Sequence, residues 1–399
     1  MHLSGQELGH AHRSGRLKHR TPADRPTAGF ILIGGRHQLL HVLPVAAALS
    51  RRDDVRVILF AATVALARAA GELMSRLAGR AEAPVVMRLP WPAESLSRAE
   101  TGPTSLKLPR LFWWARALRR CDVLITAERT STVLKRLPGH CPPMIHIPHG
   151  AGDRAVGFEP RIARLDQLIV AGEKDRDRIV AAGLVPAQRC HVSGYVKVSA
   201  MRSLAGAAPP LFDNGRPTVL YNPHFERRLS SWQRFGRDVI DAVRSSDMNL
   251  VVAPHVRLFA GAAPSALAPW QALQVPGRFI FDPGSERSFD MTYTQGADIY
   301  LGDVSSQVYE FAATPRPCVF LDAHAARWQD NPDYLMWRMG EVVDTKARIL
   351  PALRDAFARH RQYIDVQRAL VTAALGDTGP AAPERAAQFI LEEIARVAK

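Results

Sequence analysis

The chain has 399 residues, 47% of them hydrophobic and 7% aromatic, and carries a formal charge of +14. That length accommodates two domains of ordinary size, and no stretch reaches the roughly 18 consecutive apolar residues that a spanning helix needs. The four cysteines, Cys121, Cys141, Cys190 and Cys318, are far apart and form no C-x-x-C pair, which argues for a reducing cytoplasm and against a zinc site. A basic surface favours anionic partners, but aromatic and basic residues do not interleave in an RNA-binding pattern, so nucleic acid is not an expected partner.

In chain order, His2 to Arg25 is polar and basic and lacks the apolar core of a secretory signal, so residues 1–27 are expected to form a disordered lead-in. Phe30–Gly34 is a buried-strand run ending in Gly34-Gly35. Helical spacing follows from His37 to Leu49, with Pro44 in its middle, and Val55–Phe60 is the next strand. This is the opening of a Rossmann-like half, without the G-x-G-x-x-G that a dinucleotide cofactor would need. Strands are predicted again at Val85–Leu89, Val123–Thr126, Met144–Ile147 and Leu168–Ala171, and Gly183 to Tyr195 closes a half spanning 28–200.

Residues 201–217 are rich in Ala, Gly and Pro, end in Asp213-Asn214-Gly215, and read as a linker. A second α/β half, 218–380, is predicted from strands at Thr218–Asn222, Asn249–Ala253, Arg278–Phe281, Asp298–Leu301, Cys318–Leu321 and Glu341–Asp344. Helical residues Arg348 to Leu375 follow, and an amphipathic helix from Glu384 to Val397 lies within a last segment, 381–399. The expected fold class is α/β, with two Rossmann-like domains facing an interdomain cleft.

Leu106–Arg120 reads two ways. Leu111, Phe112, Trp113, Trp114 and Leu118 sit among Lys107, Arg110, Arg116, Arg119 and Arg120, a mixture suited to an interfacial helix on an acidic membrane. The same pattern suits a core helix with a solvated basic face.

Three histidines each follow an apolar strand and a proline: His149 in Ile147-Pro-His-Gly150, His224 in Tyr221-Asn-Pro-His224, and His255 in Val252-Ala-Pro-His255. Strand carboxyl ends of both halves face the same cleft in such a fold. Histidine suits proton transfer near neutral pH and hydrogen bonding to phosphate. Gly296–Asp322 adds a strand, the turn Gly302-Asp-Val-Ser-Ser306, a helix from about Gln307 to Ala313 stopped by Pro315 and Pro317, and a further strand. Ser305 and Ser306 are predicted to cap that helix, placing hydroxyls and N–H groups where phosphate-bearing ligands bind.

The ordered set His149-Gly150, Gly194-Tyr195, Asn222-Pro223, Pro254-His255 and Asp298…Asp303-Val-Ser-Ser306…Glu310-Phe311…Pro317 resembles the CDP-glycerol glycerophosphotransferases of teichoic-acid type, which have the GT-B fold. The resemblance covers roughly Ile145 to Asp322. Three departures stand out: Pro148 where the family usually has Trp, Ala253-Pro-His255-Val256 where it has Lys-Pro-His-Pro, and Val304 in place of Tyr. Arg257 or Arg227-Arg228 are the candidates to replace the missing lysine at phosphate.

The resemblance implies an enzyme that moves a glycerol-phosphate unit from CDP-glycerol, or another nucleotide-activated donor, to a hydroxyl of a glycan or lipid-linked acceptor of the cell envelope. The first half would hold the acceptor and the second the donor, in the cytoplasm or at the inner face of the membrane. His149 would be the general base and His255 would hold or protonate the leaving phosphate. Ser305 and Ser306 would bind donor phosphates, Glu310 the ribose hydroxyls, Asp303 would order the turn, and His224 would contact phosphate. No metal or cofactor is called for, since no Asp-x-Asp pair stands at a strand end. The alternatives are a UDP-sugar-dependent GT-B glycosyltransferase or a UDP-N-acetylglucosamine 2-epimerase-like enzyme, and, from another class, a non-catalytic nucleotide-sugar-binding protein of the same fold.

Overall fold

A computed structural model describes residues 25–80, 82–96, 106–153, 159–204 and 210–397. The first domain is a seven-stranded sheet made of β1 (Thr27–Leu32), β2 (Arg56–Ala61), β3 (Val85–Val86), β4 (Val123–Thr126), β5 (Met144–His146), β6 (Gln167–Val170) and β7 (Cys190–Val192). The second is a six-stranded sheet of β8 (Thr218–Asn222), β9 (Asn249–Val252), β10 (Phe279–Phe281), β11 (Ile299–Gly302), β12 (Cys318–Leu321) and β13 (Glu341–Val343). Every pairing is parallel, in the orders β3-β2-β1-β4-β5-β6-β7 and β10-β9-β8-β11-β12-β13.

Strands buried on both faces need continuous apolar runs, and the sequence supplies them. Val123–Thr126 and Ile299–Gly302 are buried throughout, with Ile125 in register with Phe30 and Tyr300 with Leu220. Each sheet reverses its strand order at one point, between β1 and β4 in the first and between β8 and β11 in the second. Ligands of open α/β sheets bind at such switch points, beyond the carboxyl ends of the strands.

The helices are α1 (Leu39–Ser50), α2 (Val64–Arg76), α3 (Lys107–Leu118), α4 (Glu173–Ala181), α5 (Val196–Leu204), α6 (Trp232–Arg244), α7 (Pro264–Gln271), α8 (Thr292–Gly296), α9 (Gln307–Phe311), α10 (Lys346–His360), α11 (Ile364–Leu375) and α12 (Ala381–Val397). Every residue of α1 from Leu39 to Leu49 is buried. The reason is that α12 returns from the second domain and lies against α1 and α5. Its stripe Ala382, Ala386, Ile390 and Ile394, spaced four residues apart, completes the first domain's core. The segment read as a linker from 201 begins instead as the last turn of α5, because Met201 packs on the cores of both domains. The basic lead-in lies outside the described residues except for 25–27, where β1 has already begun.

Among the described residues, no helix is long and apolar enough to cross a membrane.

Candidate active site between the two domains

A cavity of about 240 Å³ separates the domains at their switch points. On the first domain it is lined by Arg129, His146, His149, Gly150 and Asp175, and on the second by His224, His255, Ser305 and Ser306, among others. Five of the eight residues singled out in the sequence therefore meet at one place.

The two walls touch where the Pro148-His149-Gly150 turn faces Ser306. Gly150 has φ +98°, and a Cβ built there would lie 3.2 Å from Ser306 Oγ. A side chain at position 150 would thus combine backbone strain with crowding at the serine.

The ring nitrogens of the three histidines are set differently. His149 Nδ1 lies 3.3 Å from the Ala127 carbonyl and 3.3 Å from Gln38 Nε2. The carbonyl can only accept and the Gln38 amide nitrogen can only donate, so Nε2 is bare in the tautomer that donates its Nδ1–H to Ala127 and protonated in the one that accepts from Gln38. His224 Nδ1 accepts the Glu226 N–H at 3.0 Å, and His255 Nδ1 accepts the Arg257 N–H at 3.2 Å. In the neutral state both therefore carry their proton on Nε2, as hydrogen-bond donors. Their rings lie 5.6 Å apart, with Phe225 packed against both. With His149 in its Nδ1–H tautomer, the first domain presents an acceptor nitrogen and the second presents a pair of donors.

Burial lowers the His149 pKa, while the nearby Glu128 carboxylate opposes that fall. The ring is therefore neutral at pH 7. His37, 5.8 Å from it, is pushed down to about 3 by burial and by its histidine neighbours, and buried His41 is lowered as well. Three imidazoles so close together are compatible only if they remain uncharged.

Gln38 and Glu128 escaped the sequence reading. Gln38 Nε2 donates to Glu128 Oε1 at 2.8 Å, and Lys107 Nζ reaches the same oxygen at 3.0 Å. Gly34 makes room for this arrangement: a Cβ there would fall 1.7 Å from Gln38 Oε1. Glu128 could have been found as an acidic residue just past the strand Val123–Thr126, at a carboxyl end that faces the cleft.

Asp303 is wholly buried and does not line the cavity. It accepts the His224 N–H at 2.8 Å, the Ser231 N–H at 2.7 Å and the Ser231 hydroxyl at 2.9 Å, tying the loop that carries His224 to the end of β11. Arg257 is exposed outside the cavity, its guanidinium 4.2 Å above the Phe225 ring. The capping expectation needs correction. Ser306 occupies the N-cap position of α9 without a side-chain cap bond, and Ser305 Oγ accepts the Gln307 N–H at 3.3 Å. The helix also stops at Phe311 rather than Ala313, and Pro315, which disfavours helical backbone at Thr314, keeps it from resuming. A helix this short has little macrodipole, so phosphate binding there rests on individual hydroxyl and N–H groups.

Glu310, expected at a donor's ribose, is instead buried away from the cavity. Both carboxylate oxygens lie 2.8 Å from Lys197 Nζ, and Oε1 also accepts the Tyr195 hydroxyl at 2.8 Å. This pair joins the segment leaving the first domain to α9 of the second. Other struts run beside it. Tyr309 donates to both oxygens of buried Asp153 (2.7 and 2.9 Å), which also takes the Met336 N–H and Lys174. Arg178 pairs with Asp333 at 2.6 Å, and Arg36 with Glu286. On the cavity wall, burial raises the Asp175 carboxyl to about 6. Among the described residues, no group of three or more His, Cys, Asp or Glu could hold a metal ion.

The two switch points facing one cleft define a GT-B-like fold, and solved structures of that fold superpose over nearly the whole chain. The wall teichoic acid polymerase TagF matches with a TM-score of 0.63 at 13% identity, covering 94% of this chain and 90% of that one. UDP-GlcNAc 2-epimerase from Neisseria meningitidis, bound to UDP-GlcNAc, matches at TM-score 0.61 and 12% identity over 93% of this chain and 100% of its own. S. aureus MnaA with UDP matches at TM-score 0.61 and 13% identity over 93% and 96%. No family model matches the sequence, and no curated protein matches it.

Proposed function

We propose that the chain is a transferase that moves a glycerol-phosphate unit from a CDP-activated donor to a hydroxyl of an envelope glycan. The observation that carries this reading is the apposition of His149, whose Nδ1–H tautomer has a bare Nε2, to a wall that holds His224, His255, Ser305 and Ser306. The acceptor hydroxyl gives its proton to His149 Nε2 and its oxygen attacks the phosphorus bearing glycerol. The bond from that phosphorus to the oxygen bridging it to CMP breaks, and CMP leaves with the electron pair. His255 and His224 Nε2–H groups, with the serine hydroxyls, stabilise the charge gathering on the leaving phosphate. The resemblance in the ordered motifs and the likeness to TagF support this donor.

The second reading, a UDP-sugar glycosyltransferase or 2-epimerase-like enzyme, is favoured by Ala253 standing where a phosphate-binding lysine is usual. It is also favoured by the equal likeness to UDP-sugar epimerases. Differential thermal unfolding separates the two. CDP-glycerol at saturating concentration should raise the melting temperature by several degrees, since a ligand at about 100 times its Kd stabilises by ~2.7 kcal/mol. A clear shift with UDP-GlcNAc and none with CDP-glycerol would replace the first reading with the second.

A further inference from the structure

The first-domain side of the cavity extends beyond the turn that carries His149. It includes Ile162, Leu168, Val170 and Ile179, all buried, and among them two polar side chains that the transfer step does not use, His146 and Asp175. His146 ends β5, in register with Leu168, and Asp175 stands in the first turn of α4. Asp175 is 6% exposed, and its Oδ1 makes no hydrogen bond. Lys174 Nζ stands 3.8 Å from that oxygen, beyond hydrogen-bond reach, and is held instead by Asp153 Oδ1 at 2.6 Å and the Ala151 carbonyl at 2.8 Å. A buried carboxylate oxygen without a donor destabilises the fold, and a ligand that supplies the donor removes that cost. His146 Nδ1 lies 2.9 Å from the Thr126 carbonyl, which can only accept, so Nδ1 carries the proton and Nε2 is an acceptor. Burial, helped by nearby His149, pushes the His146 pKa down to about 3 and keeps the ring neutral.

We propose that this part of the cavity is the acceptor's specificity subsite, where His146 Nε2 and Asp175 Oδ1 accept hydrogen bonds from hydroxyls beside the one that attacks. The occupant is a polyol or sugar terminus with neighbouring hydroxyls. Three observations select it. Phosphate is excluded, because a carboxylate and an acceptor nitrogen offer it no proton and the carboxylate repels it. An ammonium group is disfavoured, because Lys174 already stands 3.8 Å from Asp175 Oδ1. The aliphatic side chains around the two polar groups suit the carbon skeleton of a polyol and keep water from competing for its hydroxyls. Placing the attacking hydroxyl at His149 rests on the transferase reading, whereas capture of the polyol does not.

The test compares glycerol with 1-propanol as acceptors in CMP release from CDP-glycerol, and reads glycerol binding to the donor-free full chain by saturation-transfer NMR. The wild type should favour glycerol by about tenfold or more in kcat/KM, because a site built to bind hydroxyls rejects an analogue that lacks them. Asp175→Leu should raise the KM for glycerol by about tenfold or more and weaken the NMR signal, with the KM for 1-propanol and for the donor unchanged. Its melting temperature should equal or exceed that of the wild type, since an apolar side chain of similar size replaces an unsatisfied carboxylate. Asp175→Asn keeps an acceptor oxygen and should retain most of the preference. His146→Asn keeps a donor for the Thr126 carbonyl but loses Nε2, and should raise the glycerol KM by about fivefold. Equal use of the two alcohols by the wild type, or an unchanged glycerol KM and NMR signal in Asp175→Leu, overturns the proposal. A destabilised Asp175→Leu whose glycerol and donor KM rise together also overturns it and makes Asp175 a structural residue. If no nucleotide donor is turned over, glycerol binding that Asp175→Leu abolishes upholds the subsite and rejects the transferase reading. CMP release that is indifferent to Asp175→Leu does the reverse.

Discussion

Replacing His149 by Ala is expected to lower kcat by about 10²–10⁴-fold, the usual worth of a positioned general base, with little change in donor binding. The pH dependence carries the same information. A base must be unprotonated, so kcat/KM falls as the pH falls through the His149 pKa. Burial lowers that pKa, so the acid limb should lie below the ordinary histidine value of 6.5. Glu128→Gln removes the carboxylate that opposes the fall, so the limb should move to still lower pH while activity at pH 7 is largely kept. A His149→Ala variant with undiminished kcat, or an acid limb unmoved by Glu128→Gln, would remove His149 from the role of base. Gln38 and Glu128 would then be structural residues only.

Glu310→Ala should destabilise the protein by about 3–5 kcal/mol, because Lys197 would be left as an uncompensated charge in the interior. For domains of this size the melting temperature should fall by about 10 °C. Lys197→Met combined with Glu310→Gln should recover much of the loss, since the amide oxygen can still accept the Tyr195 hydroxyl. The double variant also discriminates between roles for Glu310. As an interdomain strut it should leave the KM for the donor close to wild type once stability is regained. If Glu310 instead holds the donor's ribose, the stable double variant will show a raised KM.

The strands were legible in the sequence because strands buried on both faces require apolar runs, and Val123–Thr126, Asn249–Val252 and Cys318–Leu321 are such runs. The positions of His149, His224, His255 and Ser305-Ser306 were legible for a related reason, since each follows a strand and the carboxyl ends of parallel strands share one side. What was not legible depends on contacts between distant segments. Nothing near Lys197 in the chain announces that Glu310, 113 residues away, will neutralise it. The tautomers of His224 and His255, and the Nδ1–H tautomer open to His149, follow from which backbone group each Nδ1 meets, a matter of turn geometry. Helix α3 stayed open between two readings for a similar reason. The Glu94 carboxylate draws Arg110 inward, and the aromatic residues that would otherwise fill the interior are left outside. The return of α12 to the first domain is likewise invisible locally, because its apolar stripe states that one face is covered without saying by what.

The most direct measurement of the central claim is nucleotide release when the purified chain is incubated with an envelope-glycan acceptor and, separately, CDP-glycerol, UDP-GlcNAc or a GDP-sugar. Acceptor-dependent release of CMP from CDP-glycerol alone, abolished by His149→Ala, is the expected result. UDP release or 2-epimerisation from UDP-GlcNAc with no CMP formed, or CMP release at the wild-type rate by His149→Ala, would contradict it.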